Sequence, residues 1–410
     1  MAYSYREVLK EPRALRLFAA ASLGRLSFAM GPLALVLFMQ AARGSFAVAG
    51  ASSGATALAS GLFAPVRGRL VDRHGQSRTL PALALLYAAA FGGVLLVSRA
   101  GTGGAVAAVL LSGVAGAFAP PLPASMRVLW GTLVGAGPRL QTALALDSVV
   151  EDVVYTTGPL AAGGLAAAFG PAVALAVVGL LAVAGSLAFV SSPVSRAWSA
   201  PGAEPRGGIG WAGAMGERGI RTLVLSLAGF GAAIGVIDIT VVAAAREAGS
   251  APLGGVLLAL LSAGSIAGGL WYGSRAWRLD TGQRFVRILA LFALVSAFLP
   301  LARPLPLLGI VVAVAGLLLS PLESSAYLLA SQLAPDGTQT EAASWVTTAN
   351  NVTAAAGIAV AGLLVGGPGV AWALVAAWGS AVLALVAAVA GRRALSALPV
   401  ASRRHPDLGL

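Results

Sequence analysis

Five ionisable residues lie inside long apolar runs of this chain: Arg25, Glu151, Asp152, Asp238 and Glu323. A charge at mid-bilayer costs roughly 2.5–3.5 kcal/mol on insertion scales, so five facing lipid would cost on the order of 12–17 kcal/mol. They are expected to face a cavity, to pair, or to be neutral, which is the setting for proton exchange and for binding a polar cargo. A helical rise of about 1.5 Å per residue puts Arg25 about 16 Å from the inner start of its run, Glu151 about 15 Å into its own, and Glu323 about 14 Å from an inner end. These three share the mid-depth level. Asp238 lies nearer the outer face, and Asp147 near the inner face, where it is expected to reach water. Neighbouring helix positions point about 100° apart, so only one of Glu151 and Asp152 faces a given partner squarely. The expected pair is Arg25 with one of them, leaving the other to exchange a proton; a purely structural ion-pair network is the alternative.

The elements that must hold these groups follow from composition. The chain has 410 residues, 58% hydrophobic and 10% charged; a soluble domain is roughly 45–50% apolar and about 25% charged. Twelve apolar segments are legible: 14–42, 46–66, 79–99, 104–126, 141–168, 170–192, 221–245, 252–274, 285–302, 304–332, 340–366 and 368–391. Each is long enough to cross about 30 Å of hydrocarbon as a helix. The first is not expected to be a cleaved signal, because further spans follow it directly. Disorder, a coiled coil and a disulfide scaffold are excluded. Arginine over lysine, with abundant Ala and Gly, suggests a GC-rich bacterial genome.

With the N-terminus inside, twenty-two of the 27 Lys and Arg residues fall in inner segments and four in outer ones, and Arg25 alone lies within a span. The positive-inside rule therefore places both termini in the cytoplasm, with the chain multi-pass in a bacterial cytoplasmic membrane. It also accounts for the net charge of +12 without nucleic acid. Residues 193–220, with Pro193, Pro201, Pro205 and Gly207-Gly208, read as a cytoplasmic linker between halves 1–192 and 221–410, the second ending in a short cytoplasmic tail.

The halves carry a repeat. Gly24 and Gly44-Ser45 recur as Gly229 and Gly249-Ser250, Gly68 and Arg73 as Gly273 and Arg278, Gly116 and Pro121 as Gly316 and Pro321. Glu151-Asp152 and Gly158 fall on Asn350-Asn351 and Gly357, and the offset drifts slowly from 205 to 199. Asn350 and Asn351 offer neutral donors and acceptors to the same cavity, or else pack helix to helix. Pro321 before Glu323, and Pro120-Pro121 with Pro123 in the matching helix, are expected to break their helices and free carbonyls at a binding region or hinge. Tyr155, Tyr327 and Trp345 either line the cavity or pack.

Enzymatic chemistry is not expected. Gly50-Ala51-Ser52-Ser53-Gly54 matches a hydrolase pattern but sits in an apolar helix, and neither His74 nor His405 can serve Ser52 as a base. Gly208–Gly213 matches a dinucleotide pattern but lies in the linker with no strand before it. With no Cys and no P-loop, thiolate chemistry, Cys-bound metal and ATP hydrolysis are disfavoured; no metal or cofactor is expected.

The segment after the second span reads Gly68-Arg69-Leu70-Val71-Asp72-Arg73-His74-Gly75. It resembles the signature loop of the major facilitator superfamily, G-x-L-x-D-R-x-G, and the likeness extends to two six-helix halves and a central linker. Gly158-Pro159-Leu160-Ala161-Ala162-Gly163-Gly164 is similar to the antiporter signature of helix 5, with one extra residue before Gly163-Gly164. The proton-linked family also tends to carry an arginine within helix 4, where this chain has no basic residue before Arg127. The resemblance implies an all-α fold of twelve transmembrane helices in two pseudo-symmetric bundles, working by alternating access. Gly68, Asp72, Arg73 and Gly75 would form a cytoplasmic gate, with Asp72 pairing with arginines or capping the next helix. The expected function is export of a small organic molecule by proton antiport, with a small-molecule cargo, protons and membrane lipids as partners, and the chain a monomer. The alternatives are a facilitator or proton-coupled importer of a small polar solute, or a non-transporting receptor or scaffold.

Overall fold

The computed structural model describes residues 5–98, 101–135, 137–198, 213–250, 252–302 and 304–396. Arg99, Arg303, linker residues 199–212 with Pro201, Pro205 and Gly207-Gly208, and the tail from 397 with His405 lie outside the described residues. Described secondary structure is helical throughout. The order is α1 (Tyr5–Leu9), α2 (Pro12–Arg43), α3 (Phe46–His74), α4 (Gln76–Val97), α5 (Gly101–Phe118), α6 (Leu122–Val134), α7 (Pro138–Phe169), α8 (Pro171–Val190) and α9 (Pro193–Ala197). There follow α10 (Arg218–Glu247), α11 (Pro252–Gly273), α12 (Thr281–Ser296), α13 (Leu305–Gly316), α14 (Leu319–Leu333), α15 (Gln339–Gly366), α16 (Val370–Ala390) and α17 (Arg392–Leu395).

Among the described residues, 11 helices are long and apolar enough to cross a membrane, α5 with α6 and α13 with α14 each making one span. The remaining segment of the expected twelve is α7. Its 32 residues are ample in length, but Asp147, Glu151, Asp152, Thr156 and Thr157 dilute its apolar character. Outward faces are greasy: Leu96 is 82% and Leu363 77% exposed. Solvent would penalise such faces, whereas lipid would cover them.

Contacts divide the chain into two compact units. One comprises Arg6–Gly135 and Val150–Ala203. Its core centres on Met30, Leu35, Phe38, Tyr87, Phe91 and Val178, with Tyr87 edge-on to Phe91 at 4.8 Å. The other comprises Met1–Tyr5, Ala136–Val149 and Glu204–Leu410. Within it Phe230 and Phe292 meet edge-on at 5.1 Å.

The start of α7 is held inside this second unit by polar contacts. Gln141 donates to the carbonyls of Tyr272 and Arg275 and accepts from Arg284 at 2.8 Å. Thr142 donates to the Gly273 carbonyl at 2.7 Å, and Ser324 to Ser148 at 3.2 Å. Tyr5 adds a hydroxyl whose single O–H is shared between the Gly269 and Leu270 carbonyls, both 2.9 Å away. Burial pushes its phenol up to about 12. Asp147, expected to reach water, is fully buried.

The repeated glycines occupy corresponding contacts in the two units. In the first, a Cβ on Gly185 of α8 would lie 2.6 Å from Cα of Gly24 in α2; in the second, one on Gly229 of α10 would lie 2.9 Å from Cα of Ala384 in α16. Gly116 of α5 abuts Thr56 of α3, as Gly316 of α13 abuts Leu261 of α11. Gly158 of α7 abuts Ala29 of α2, as Gly357 of α15 abuts Ala232 of α10. Helices approach this closely only where neither side chain intervenes.

Two local expectations change. The signature segment is not a loop up to its end. Gly68 through His74 form the last turns of α3, and the chain breaks at Gly75, whose φ of 81° is left-handed. Asp72 therefore does not cap α4, whose N-cap is Gly75 without a side-chain hydrogen bond. The prolines also act differently from each other. Pro120-Pro121 interrupts the span, α6 restarting at Leu122, whereas the second break falls at Leu317-Leu318 and leaves Pro321 in the first turn of α14, where a missing N–H costs little.

Candidate functional site

In the first unit, α2 and α6 pack together and bury two arginines. Arg25 of α2 is 1% exposed and lies 6.0 Å from the centre of the Phe18 ring. Phe18 in turn meets Trp130 of α6 edge-on at 5.3 Å. Arg127, one turn before Trp130, forms an ion pair through Nη2 with Oε2 of Glu151 on α7. Their side chains are 3% and 17% exposed, so the guanidinium is nearly sealed while the carboxylate keeps some access. Asp152 beside it is half-buried.

Glu151 thus pairs with Arg127, a residue that the sequence suggested only as an inner-face cation, where Arg25 was the expected partner. The available signal was Pro120-Pro121. By restarting the helix, it makes Arg127 the sixth residue of a thirteen-residue helix whose buried set runs from Leu122 to Trp130.

In the second unit, Glu323 of α14 accepts a hydrogen bond at 3.2 Å from the side-chain amide of Asn350 on α15. The other end of that amide, Oδ1, is buried without a hydrogen-bond partner among the described residues. Thr347, one turn earlier on α15, meets the Tyr327 hydroxyl at 3.1 Å. Glu323, Tyr327, Thr347 and Asn350 thus form a polar seam between α14 and α15. Asn351 is exposed on the neighbouring face. Asp238 is half-buried on α10, two turns beyond Gly231, which abuts Asn350. The rise of about 1.5 Å per residue puts Asp238 about 10 Å along the helix from that level.

Around the signature segment, Asp72 is buried and Arg73 exposed. Arg67, buried just before the motif, donates to the carbonyls of Gly116, Ala117 and Ser60. Burial of Gly68 and Asp72 on one side of α3 makes this end a packed element. In the antiporter-like segment Gly158 serves a tight contact and Pro159 lies inside the continuous helix α7. A Cβ on Gly163 or Gly164 would meet nothing within 4 Å.

No protein-family model matches the chain. A curated relative, the uncharacterised MFS-type transporter y4rN of Sinorhizobium fredii, is 30% identical over 181 residues, covering 41% of each chain. This chain thus matches well under two thirds of that relative's length. Solved structures match far more of it. A bacterial homologue of the iron transporter ferroportin, in an outward-facing state, superposes with a TM-score of 0.74 at 15% identity, covering 92% of this chain and 99% of its own. The human organic anion transporter MFSD10 gives 0.68 at 15% identity, covering 92% and 99%. The major facilitator superfamily proton:xylose symporter XylE gives 0.69 at 12% identity, covering 92% and 95%. The chain has the major facilitator fold.

Proposed function

We propose that this protein is a secondary active transporter of the major facilitator type that exports a small organic molecule in exchange for protons. The Arg127–Glu151 pair carries this reading. It is an ion pair buried between apolar helices, adjacent to a second carboxylate, Asp152, and such groups within a bilayer mark ion and substrate pathways. Protonation of Glu151 would release Arg127, and its deprotonation would restore the pair, so proton binding is tied to a change in packing between α6 and α7. Arg25, Asp152, Asp238, Glu323, Asn350 and Asn351 would supply the remaining polar surface of the cargo path. The end of α3 from Gly68 to Gly75 would act as the cytoplasmic gate, in a monomer with both termini in the cytoplasm. Its two halves, 1–192 and 221–410, would rock about a mid-depth site. The antiporter-like Gly158-Pro159 favours export, with Gly158 fixing the approach of α7 to α2.

A second reading is import or facilitated passage of a small polar solute, which the donors and acceptors of the Glu323–Asn350–Thr347–Tyr327 seam favour. A non-transporting receptor on the same fold is the reading from another class. The deciding experiment measures accumulation and toxicity of a compound panel in an efflux-deficient bacterium. Wild type is compared with Glu151→Gln, Asp152→Asn at matched expression, with and without a protonophore. Export by proton antiport predicts lower accumulation that both the variant and the protonophore abolish. A well-expressed wild type that changes nothing across the panel would sink the export reading and turn attention to uptake of sugars and organic acids.

A further inference from the structure

We infer that the recess between the start of α2, the end of α6 and the short helix α9 is a binding site for an anionic phospholipid of the inner leaflet. It has a volume of about 340 Å³ and is lined by Arg13, Thr132, Pro193, Val194, Ala197 and Trp198. That volume falls within the roughly 300–1,000 Å³ typical of small-ligand pockets. Four of its six lining residues are apolar, Arg13 and Thr132 are the polar ones, and no acid is among them. This is the composition an acyl-linked phosphate requires: grease for the glycerol and first methylenes, a cation for the phosphodiester.

Position supports a lipid over a soluble ligand. Arg13 opens the first apolar span, and α9 begins three residues after the last residue of α8. The recess therefore sits where spans leave the hydrocarbon, at headgroup level. Arg16, one turn along α2, and Arg196 on α9 are exposed beside it, and Leu15 between the two α2 arginines is exposed and apolar. Glu11, the nearest acid in sequence, is exposed at the N-cap of α2 and is not among the lining residues.

The site would also reach the gate segment. Ser195 of α9 is 2.9 Å from Oε1 of Gln76, the first residue of α4. The Trp198 carbonyl lies 3.6 Å from where a Cβ on Gly75 would be. A lipid wedged under α9 would therefore steady the turn between α3 and α4. The inference rests on the inward orientation proposed above, which a reporter fused at residue 205 tests separately.

The test uses the purified full chain in nanodiscs of phosphatidylcholine, with or without phosphatidylglycerol, reading apparent Tm and lipid retained in native mass spectrometry. Phosphatidylglycerol is expected to raise Tm and to be retained. Arg13→Gln should weaken that retention about fivefold, the factor corresponding to roughly 1 kcal/mol per basic residue near an anionic surface. Ala197→Trp, which fills the recess and keeps the charge, should abolish it; unchanged Tm in pure phosphatidylcholine shows that both variants are folded. Equal stabilisation by the two lipids, or retention unaltered in both variants, would overturn the proposal. So would full replacement of phosphatidylglycerol by millimolar inorganic phosphate, which would mark a free-anion site.

Discussion

Removing one member of the Arg127–Glu151 pair should cost more than removing both. Breaking a buried ion pair from one side typically costs about 3–5 kcal/mol, whereas replacing both charges with apolar groups is often neutral or better. Exposure sets the order of the single variants. Glu151→Met takes its carboxylate away from a guanidinium that is 3% exposed and has almost no water to replace it; Arg127→Met takes the guanidinium away from a carboxylate that is 17% exposed and keeps some water. Glu151→Met should therefore be the more damaging. At about 2–4 °C per kcal/mol for a bundle of 150–250 residues, its apparent Tm should fall by roughly 6–20 °C. Arg127→Met should fall by less, and the double variant should recover most of the loss. Tryptophan fluorescence during thermal unfolding in detergent reads this directly, since Trp130 is fully buried on the same helix, one turn from Arg127. The reasoning fails if the two single losses add in the double variant within about 0.5 kcal/mol, the range seen for independent sites.

Three further outcomes are expected. Gly185→Ala should lose about 1–3 kcal/mol because the new Cβ overpacks against Gly24, while Gly164→Ala, with open space around it, should gain roughly 0.5–1 kcal/mol of helix stability; comparative thermal melts separate the signs. Ser148→Cys with Ser324→Cys should form a disulfide under mild oxidant, since the hydroxyls are 3.2 Å apart and the chain has no other cysteine; a gel shift reversed by reductant reports it, and its absence would contradict the placement of α7 on α14. Tyr5→Phe should remove one O–H donor shared between two carbonyls, worth about 1 kcal/mol. The raised phenol means that the wild-type advantage is fully present below the ordinary value of 10.0 and disappears as pH rises through about 12; an advantage that grew with alkaline pH would contradict this.

Span positions were legible because the apolar runs are long and Gly or Pro punctuates them. The segment at 46–66 is the instructive exception, since its helix continues to His74. Arg67, Arg69 and Arg73 end the apolar signal without ending the helix, because a polar end can stay helical and pack, as Arg67 does through three carbonyls. Glu323 and Asn350 were both readable as polar residues of adjacent helices, and the structure brings them together. The Arg127–Glu151 contact was harder to read. It joins residues 24 positions apart on different helices, and which cation turns inward depends on where the Pro120-Pro121 break resets the helical phase. The linker start was also hidden: α9 is only five residues long, and a single buried hydrogen bond from Ser195 fixes it to Gln76.

The matched glycine contacts separate what holds the helices together from what they expose. The backbone-to-backbone seams recur in both halves, at offsets of about two hundred residues. The acidic dipeptide Glu151-Asp152 does not, having Asn350-Asn351 in its place. The two halves thus share one scaffold of close helix contacts while differing in polarity at equivalent depths, so exchanging Asn350-Asn351 for Glu-Asp changes the chemistry of one half without touching the seams that hold it.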